Sequence, residues 1–216
     1  MRKKKHGSER IEACSDLLLS ISTVNAETAA GAFPESAPDA PLWMEIGCGK
    51  GAFVTGLEAR HPEARMIAME RVADVAMLAM EKCKSLELAN IRFLIGDAAK
   101  LWDTFEDHSI DRLYLNFSDP WPKAGHAKRR LTHRNFLTQY RRILKPEGAI
   151  FFKTDNRGLF DFSLEEFEAC DFRLENLTYD LHNSEFAAEN IMTEYEKNFS
   201  EKGFSINRVE AWCRKI

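Results

Sequence analysis

Glu45-Ile46-Gly47-Cys48-Gly49-Lys50-Gly51 closes an apolar run, Leu42 to Ile46, and opens a helical pattern from about Ala52 to Ala59. Glycines at a strand-to-helix turn let the backbone approach a ligand closely, so the turn is expected to hold a nucleotide-like cofactor. Gly47-x-Gly49-x-x-Ala52 also satisfies the dinucleotide fingerprint, and the turn alone leaves the cofactor's kind open.

Working outward, apolar Met66 to Met69 is followed by a helix with Val72, Val75, Ala76 and Ala79 on one face, and then by Ile91 to Ile95. A short helix after Asp97, the run Ile110 to Phe117, a helix within Arg134 to Leu144 ending at Lys145-Pro146-Glu147-Gly148, and Ala149 to Thr154 continue the pattern. Five parallel strands with right-handed crossovers are predicted, with ligands outside their carboxyl ends. A helix containing Phe160, Leu164 and Phe167, a strand around Phe172 to Leu181 and an alternating run Ser205 to Cys213 follow. The expected class is α/β: a Rossmann-like, doubly wound, mostly parallel sheet of seven strands.

Three acids fall at three successive strand ends. Glu70, about 20 residues beyond the glycine turn, is placed to accept hydrogen bonds from ribose hydroxyls. Glu45 sits in an otherwise apolar strand, where a buried carboxylate needs partners, and a cationic methionine moiety is one. Asp97 could receive an adenine amino group or cap the next helix. Together they favour adenosine. At the end of the fourth strand, Asn116-Phe117-Ser118-Asp119-Pro120-Trp121-Pro122-Lys123 fixes an acid and an aromatic between two prolines. Such rigidity suits methyl transfer, whose main demand is alignment; Trp121 could stack on a base and Asp119 could steer or neutralise it.

The chain has 216 residues, 44% of them hydrophobic, enough for one sizeable core. A basic lead-in, residues 1–40, is expected to precede a single domain, 41–216. Its apolar run Leu17 to Ile21 falls far short of the roughly 20 residues a bilayer requires, so no membrane is expected. Five scattered cysteines without a C-x-x-C pair argue against disulfides or zinc, and no metal and a cytoplasmic location are expected. The formal charge of −4 argues against nucleic acid, yet two places break the trend. These are Arg2 to Lys5, and the acid-free segment with Lys123, Lys128, Arg129, Arg130 and Arg134; both are candidate phosphate contacts.

Five motifs then resemble one family, the bacterial tRNA (guanine-N7)-methyltransferases known as TrmB. They are E-I-G-C-G-K-G (45–51), L-N-F-S-D-P-W-P-K (115–123), K-R-R-L-T (128–132), K-T-D-N-R-G-L-F (153–160) and T-E-Y-E-K-N-F (193–199). The resemblance runs from about Pro41 to the end of the chain. It implies S-adenosylmethionine as cofactor and methyl transfer to N7 of the variable-loop guanine, position 46, in tRNA, by a monomer or homodimer. It further implies that Glu45, Gly47, Gly49, Gly51, Glu70, Asp97, Ala98 and Asp119 line the cofactor, with Asp119 catalytic. Lys123, Asp155, Thr193, Glu194, Tyr195 and Glu196 would contact substrate, and His126, Ala127, Lys128, Arg129 and Arg130 the RNA. From the residues alone, Asp155 could cap a helix and Thr193-x-x-Glu196 matches a capping box. Residues 11–40 lack Trp and Tyr, which departs from the family's aromatic lead-in. Competing readings are a methyltransferase for another planar nitrogen, an RNA-binding module with a vestigial pocket, and a nicotinamide oxidoreductase.

Overall fold

A computed structural model describes residues 6–19, 31–37, 39–100 and 104–214. Arg2 to Lys5 lie outside these residues. Among the described residues seven strands alternate with helices in a mostly parallel sheet of the α/β class, in two compact units, 1–106 and 107–216.

The first unit contains helix α1 (Gly7–Glu12), strand β1 (Leu42–Ile46), helix α2 (Ala52–Arg60), strand β2 (Arg65–Glu70), helix α3 (Ala73–Ser85) and strand β3 (Ile91–Ile95). Strand β2 pairs in parallel with β1 and β3, and Met66 to Met69 are buried, as a parallel strand covered on both faces requires. Helix α3 buries Ala76, Met77, Ala79, Met80 and Cys83, one face at helical spacing. Val72, expected on that face, instead precedes the first turn and is exposed, because the helix starts one residue later.

The described part of the lead-in, residues 6–19, 31–37 and 39–40, belongs to this unit. Leu18 bridges Phe93 of β3 in parallel, Cys14, Leu17 and Phe33 are buried, and Arg10 donates twice to Glu81 of α3 at 2.6 Å. Lys84 donates to the Ala13 carbonyl at 2.7 Å and pairs with Asp16. An otherwise open edge of β3 is thereby covered.

The second unit contains strand β4 (Ile110–Asn116), helix α4 (Arg134–Ile143), strand β5 (Leu144–Thr154), helix α5 (Arg157–Ala169), strand β6 (Phe172–Thr178), helix α6 (Glu194–Ser200) and strand β7 (Asn207–Cys213). Strands β4 and β5 are parallel, and β7 runs antiparallel to both β5 and β6. Strand β5 starts at Leu144, five residues before the expected Ala149. The extra residues form an irregularity against Ile110 and Arg112, held by Lys145 donating to Asp111 at 2.8 Å. A Cβ on Gly148 would lie 3.0 Å from the Lys145 carbonyl, so this glycine serves a close backbone approach and not a helix end. Phe152, Phe160, Phe167 and Phe172 form the core, with ring centroids about 6 Å apart.

Candidate functional site

In the first unit the glycine turn and three acids collect at the carboxyl ends of adjacent strands. Gly47 and Gly49 have φ of 85° and 56°, and a Cβ on either would meet nothing within 4 Å, so they face open space. The Gly47 and Cys48 amides donate to the Met69 carbonyl at 2.8 and 2.9 Å, tying the turn to β2. Gly51 plays a different part: at φ 80° its missing Cβ would approach the Ala79 Cβ to 2.9 Å, so it seats α3 against the turn. Burial, with Glu45 and Glu70 nearby, pushes the Cys48 thiol well above its ordinary range, which leaves it neutral packing and no nucleophile.

Glu70 accepts from the Gly49 amide at 3.1 Å through Oε2 and from the Val72 amide at 2.9 Å through Oε1. A carboxylate has about four lone-pair sites, so capacity remains for two hydroxyl donors. Asp97 caps the short 3-10 turn Ala98–Lys100, its Oδ1 accepting from the Ala99 amide at 3.0 Å, and Ala98 is buried. Glu45 is buried in β1, 3% exposed.

In the second unit β4 runs into a turn of unusual backbone. Phe117 and Trp121 flank Asp119 at φ of 53° and 40°, a left-handed region that bulky side chains avoid. Asp119 itself is exposed and has no hydrogen-bond or ion-pair partner among the described residues. Arg130 donates to the Pro120 carbonyl at 3.0 Å and to the Trp121 carbonyl at 3.1 Å. Arg129 lies over the Trp121 ring at 4.9 Å, and His126 meets its edge at 5.9 Å. Arg134, itself exposed, pairs with the buried Glu166 at 2.5 Å, while the exposed Lys123, Lys128 and Arg129 make no hydrogen bond or ion pair among the described residues. Lys123 starts the 3-10 segment Ala124–Arg129, which includes Ala127.

Strand β5 delivers Lys153 and Asp155 beside that turn: the Phe117 amide donates to the Lys153 carbonyl at 2.9 Å. The Tyr195 hydroxyl donates to Asp155 at 3.4 Å, and the Tyr195 ring lies 5.1 Å from Phe117 and 4.1 Å from Phe199. Asp155 does not cap α5; Asn156 does, accepting from the Leu159 amide at 2.8 Å. Thr193 and Glu196 form a complete capping box at the start of α6.

Glu196 is fully buried and lies at the centre of a polar cluster that sequence reasoning missed. It accepts from Lys153 at 2.7 Å and from Asn190 at 2.6 Å, and it meets His182 at 2.8 Å; Lys153 also donates to Asn190 and to the Ile191 carbonyl, each at 2.9 Å. Burial opposes its charge, but Lys153 and the hydrogen bonds from Lys153, His182 and Asn190 hold the Glu196 carboxyl below its usual range. A lysine within the apolar run Ala149 to Thr154 was the available sign.

No helix among the described residues is long and apolar enough to cross a membrane, and no group of them could hold a metal ion.

Known proteins match this arrangement. Residues 39–209 match a family described as putative methyltransferase. A tRNA (guanine-N(7)-)-methyltransferase from Brevibacillus brevis is 51% identical over 173 residues, 80% of this chain and 81% of the relative. One of the same name from Streptococcus sanguinis is 43% identical over 212 residues, 98% of each. Among solved structures, a SAM dependent methyltransferase from Aquifex aeolicus has a TM-score of 0.56 at 14% identity, covering 97% of this chain and all of the other. An antibiotic related methyltransferase has 0.61 at 12% identity, covering 91% and 97%. The sheet is thus that of the S-adenosylmethionine-dependent methyltransferase fold, and the chain belongs to the tRNA (guanine-N7)-methyltransferase family.

Proposed function

We propose that the chain transfers a methyl group from S-adenosylmethionine to N7 of the variable-loop guanine, position 46, of tRNA in the cytoplasm, with residues 41–216 as its catalytic body. The observation that carries this reading is Asp119: an exposed carboxylate without a hydrogen-bond or ion-pair partner among the described residues, on a turn stiffened by two prolines and two left-handed residues, in a chain 51% identical over 173 residues to an enzyme named for guanine-N7 methylation of tRNA.

The first unit's residues fit the cofactor. The open side of Gly47 and Gly49 would admit its close approach, Glu70 has acceptor capacity for ribose hydroxyls, Asp97 for an adenine amino group, and the buried Glu45 would offset a cationic methionine moiety. When bound, S-adenosylmethionine supplies an electrophilic methyl: the N7 lone pair forms the new N–C bond, and the pair of the broken C–S bond stays with sulfur. Guanine N7 carries no proton, so Asp119 acts without abstracting one. Its two oxygens accept from the guanine N1 and N2 hydrogens and offset the positive charge the base acquires. Asp155 and Tyr195 border the same turn and contact substrate with Lys123, while Lys128 and Arg129 meet phosphates.

The deciding experiment incubates the protein and labelled S-adenosylmethionine with tRNA lacking 7-methylguanosine, followed by mass-spectrometric nucleoside mapping. Label in 7-methylguanosine at position 46 is expected; label in another nucleoside, or none, would overturn the reading.

A further inference from the structure

Five cations run from Lys123 to Arg134, and the protein itself uses two of them: Arg134 pairs with Glu166, and Arg130 holds the turn around Asp119. Pro120 and Pro122 have no N–H to donate, so the turn around Asp119 has few amides with which to secure its own shape. Its carbonyls at Pro120 and Trp121 accept instead from Nε and Nη2 of one guanidinium, at 3.0 and 3.1 Å. The Arg130 guanidinium is stacked on the Phe162 ring of α5 at 4.3 Å, which fixes the plane of the fork. The two left-handed residues, Phe117 and Trp121, stand where a turn left to itself would relax.

We infer that Arg130 is a positioning residue for the reaction: it brackets the Pro120 and Trp121 carbonyls and so holds the Asp119 carboxylate in its working orientation, and it does not grip RNA phosphate. The inference deepens the proposed role of Asp119 and rests on it for its kinetic consequence. A lysine keeps the charge but has no planar fork to span both carbonyls, so charge and geometry can be separated.

The experiment compares wild type with R130K and R130A in three measurements: single-turnover methyl transfer at saturating tRNA, the salt dependence of tRNA binding, and amide hydrogen exchange. Both variants should lose turnover by roughly 10- to 100-fold, the scale of a small misplacement of a reacting group, with the Kd for tRNA little changed. The slope of log Kd against log salt should match wild type, and exchange should rise at Ser118, Asp119 and Trp121. Wild-type turnover and exchange in R130K would overturn the inference, as would a salt slope reduced by about one phosphate contact with turnover intact. Should R130A fail to fold, R130K carries the test, with F162L as a second variant expected to raise exchange at the same three amides. The exchange measurement needs no substrate: a wild type that makes no 7-methylguanosine defeats the proposed function, whereas unaltered exchange in R130K defeats the bracket.

Discussion

Asp119 and Gly51 show how differently two residues of quoted motifs are constrained. Asp119 is exposed and has no hydrogen-bond or ion-pair partner among the described residues, so its replacement should leave stability nearly unchanged and act on chemistry. D119A is expected to lower turnover at saturating tRNA by roughly 100-fold or more, the scale of a lost charge-stabilising group, with an unfolding free energy within about 0.5 kcal/mol of wild type. D119N, which keeps the shape and loses the charge, should remain impaired; near-native turnover in D119N would mean that orientation alone suffices. Gly51 is the reverse case. In G51A the new Cβ meets Ala79 at 2.9 Å on a backbone of φ 80°, costing about 2–4 kcal/mol from overpacking and left-handed strain together. G47A has open space around its Cβ and should cost only the strain, about 1–2 kcal/mol. Urea unfolding of both variants checks this, and equal losses would discard the packing account of Gly51. The sequence motif names both glycines alike, because the partner that separates them lies 28 residues on, at Ala79.

At the scale of elements, strands with sharp chemical borders were legible. Strands β1 and β3 have the bounds that their apolar runs predict, Leu42 to Ile46 and Ile91 to Ile95, because Pro41 and Gly47 bracket one and Gly96 ends the other. The start of β5 was not legible, since Lys145-Pro146-Glu147-Gly148 reads as a helix stop and only the pairing with Ile110 draws Leu144 into the sheet. The cluster around Glu196 was hidden for a related reason: Lys153 comes from a strand, while His182 and Asn190 come from segments without periodicity. The capping box did mark Glu196 as an α6 residue, and the structure adds a buried ion pair to that cap. K153M should therefore destabilise the protein by about 3–5 kcal/mol, because it leaves a buried carboxylate without its cation. The pH dependence follows in sign. The Glu196 carboxyl is held below its usual value in the folded state, so its stabilisation is complete above the ordinary glutamate pKa and is lost as pH falls below that toward the lowered one. Thermal melts between pH 6 and pH 3 should show E196Q with a shallower acid decline than wild type; parallel declines would remove Glu196 from the acid transition.

For the whole molecule the formal charge of −4 opposes an RNA partner, yet charges farther apart than the Debye length of about 8 Å at physiological salt are largely screened. A local cluster therefore outweighs a remote sum, and the question becomes how many cations of the 123–134 run are free to meet phosphate. The sequence offers five. The structure engages two of them internally, Arg130 on the turn carbonyls and Arg134 on Glu166, because their partners lie at residues 120, 121 and 166 and cannot be read from the run itself. Lys123, Lys128 and Arg129 are exposed and make no hydrogen bond or ion pair among the described residues. Each phosphate neutralised contributes about 0.7 to 0.9 to the slope of log affinity against log salt, so three contacts contribute roughly 2–3. Filter binding or fluorescence titration of tRNA between about 50 and 200 mM salt should accordingly show the triple variant K123A/K128A/R129A with a slope shallower by that amount. Over the same range, R134A should keep the wild-type slope, since its guanidinium is held by Glu166. A triple variant with an unchanged slope would move the phosphate-binding surface away from this run, and a slope reduced in R134A would mean that the Glu166 pair opens on RNA.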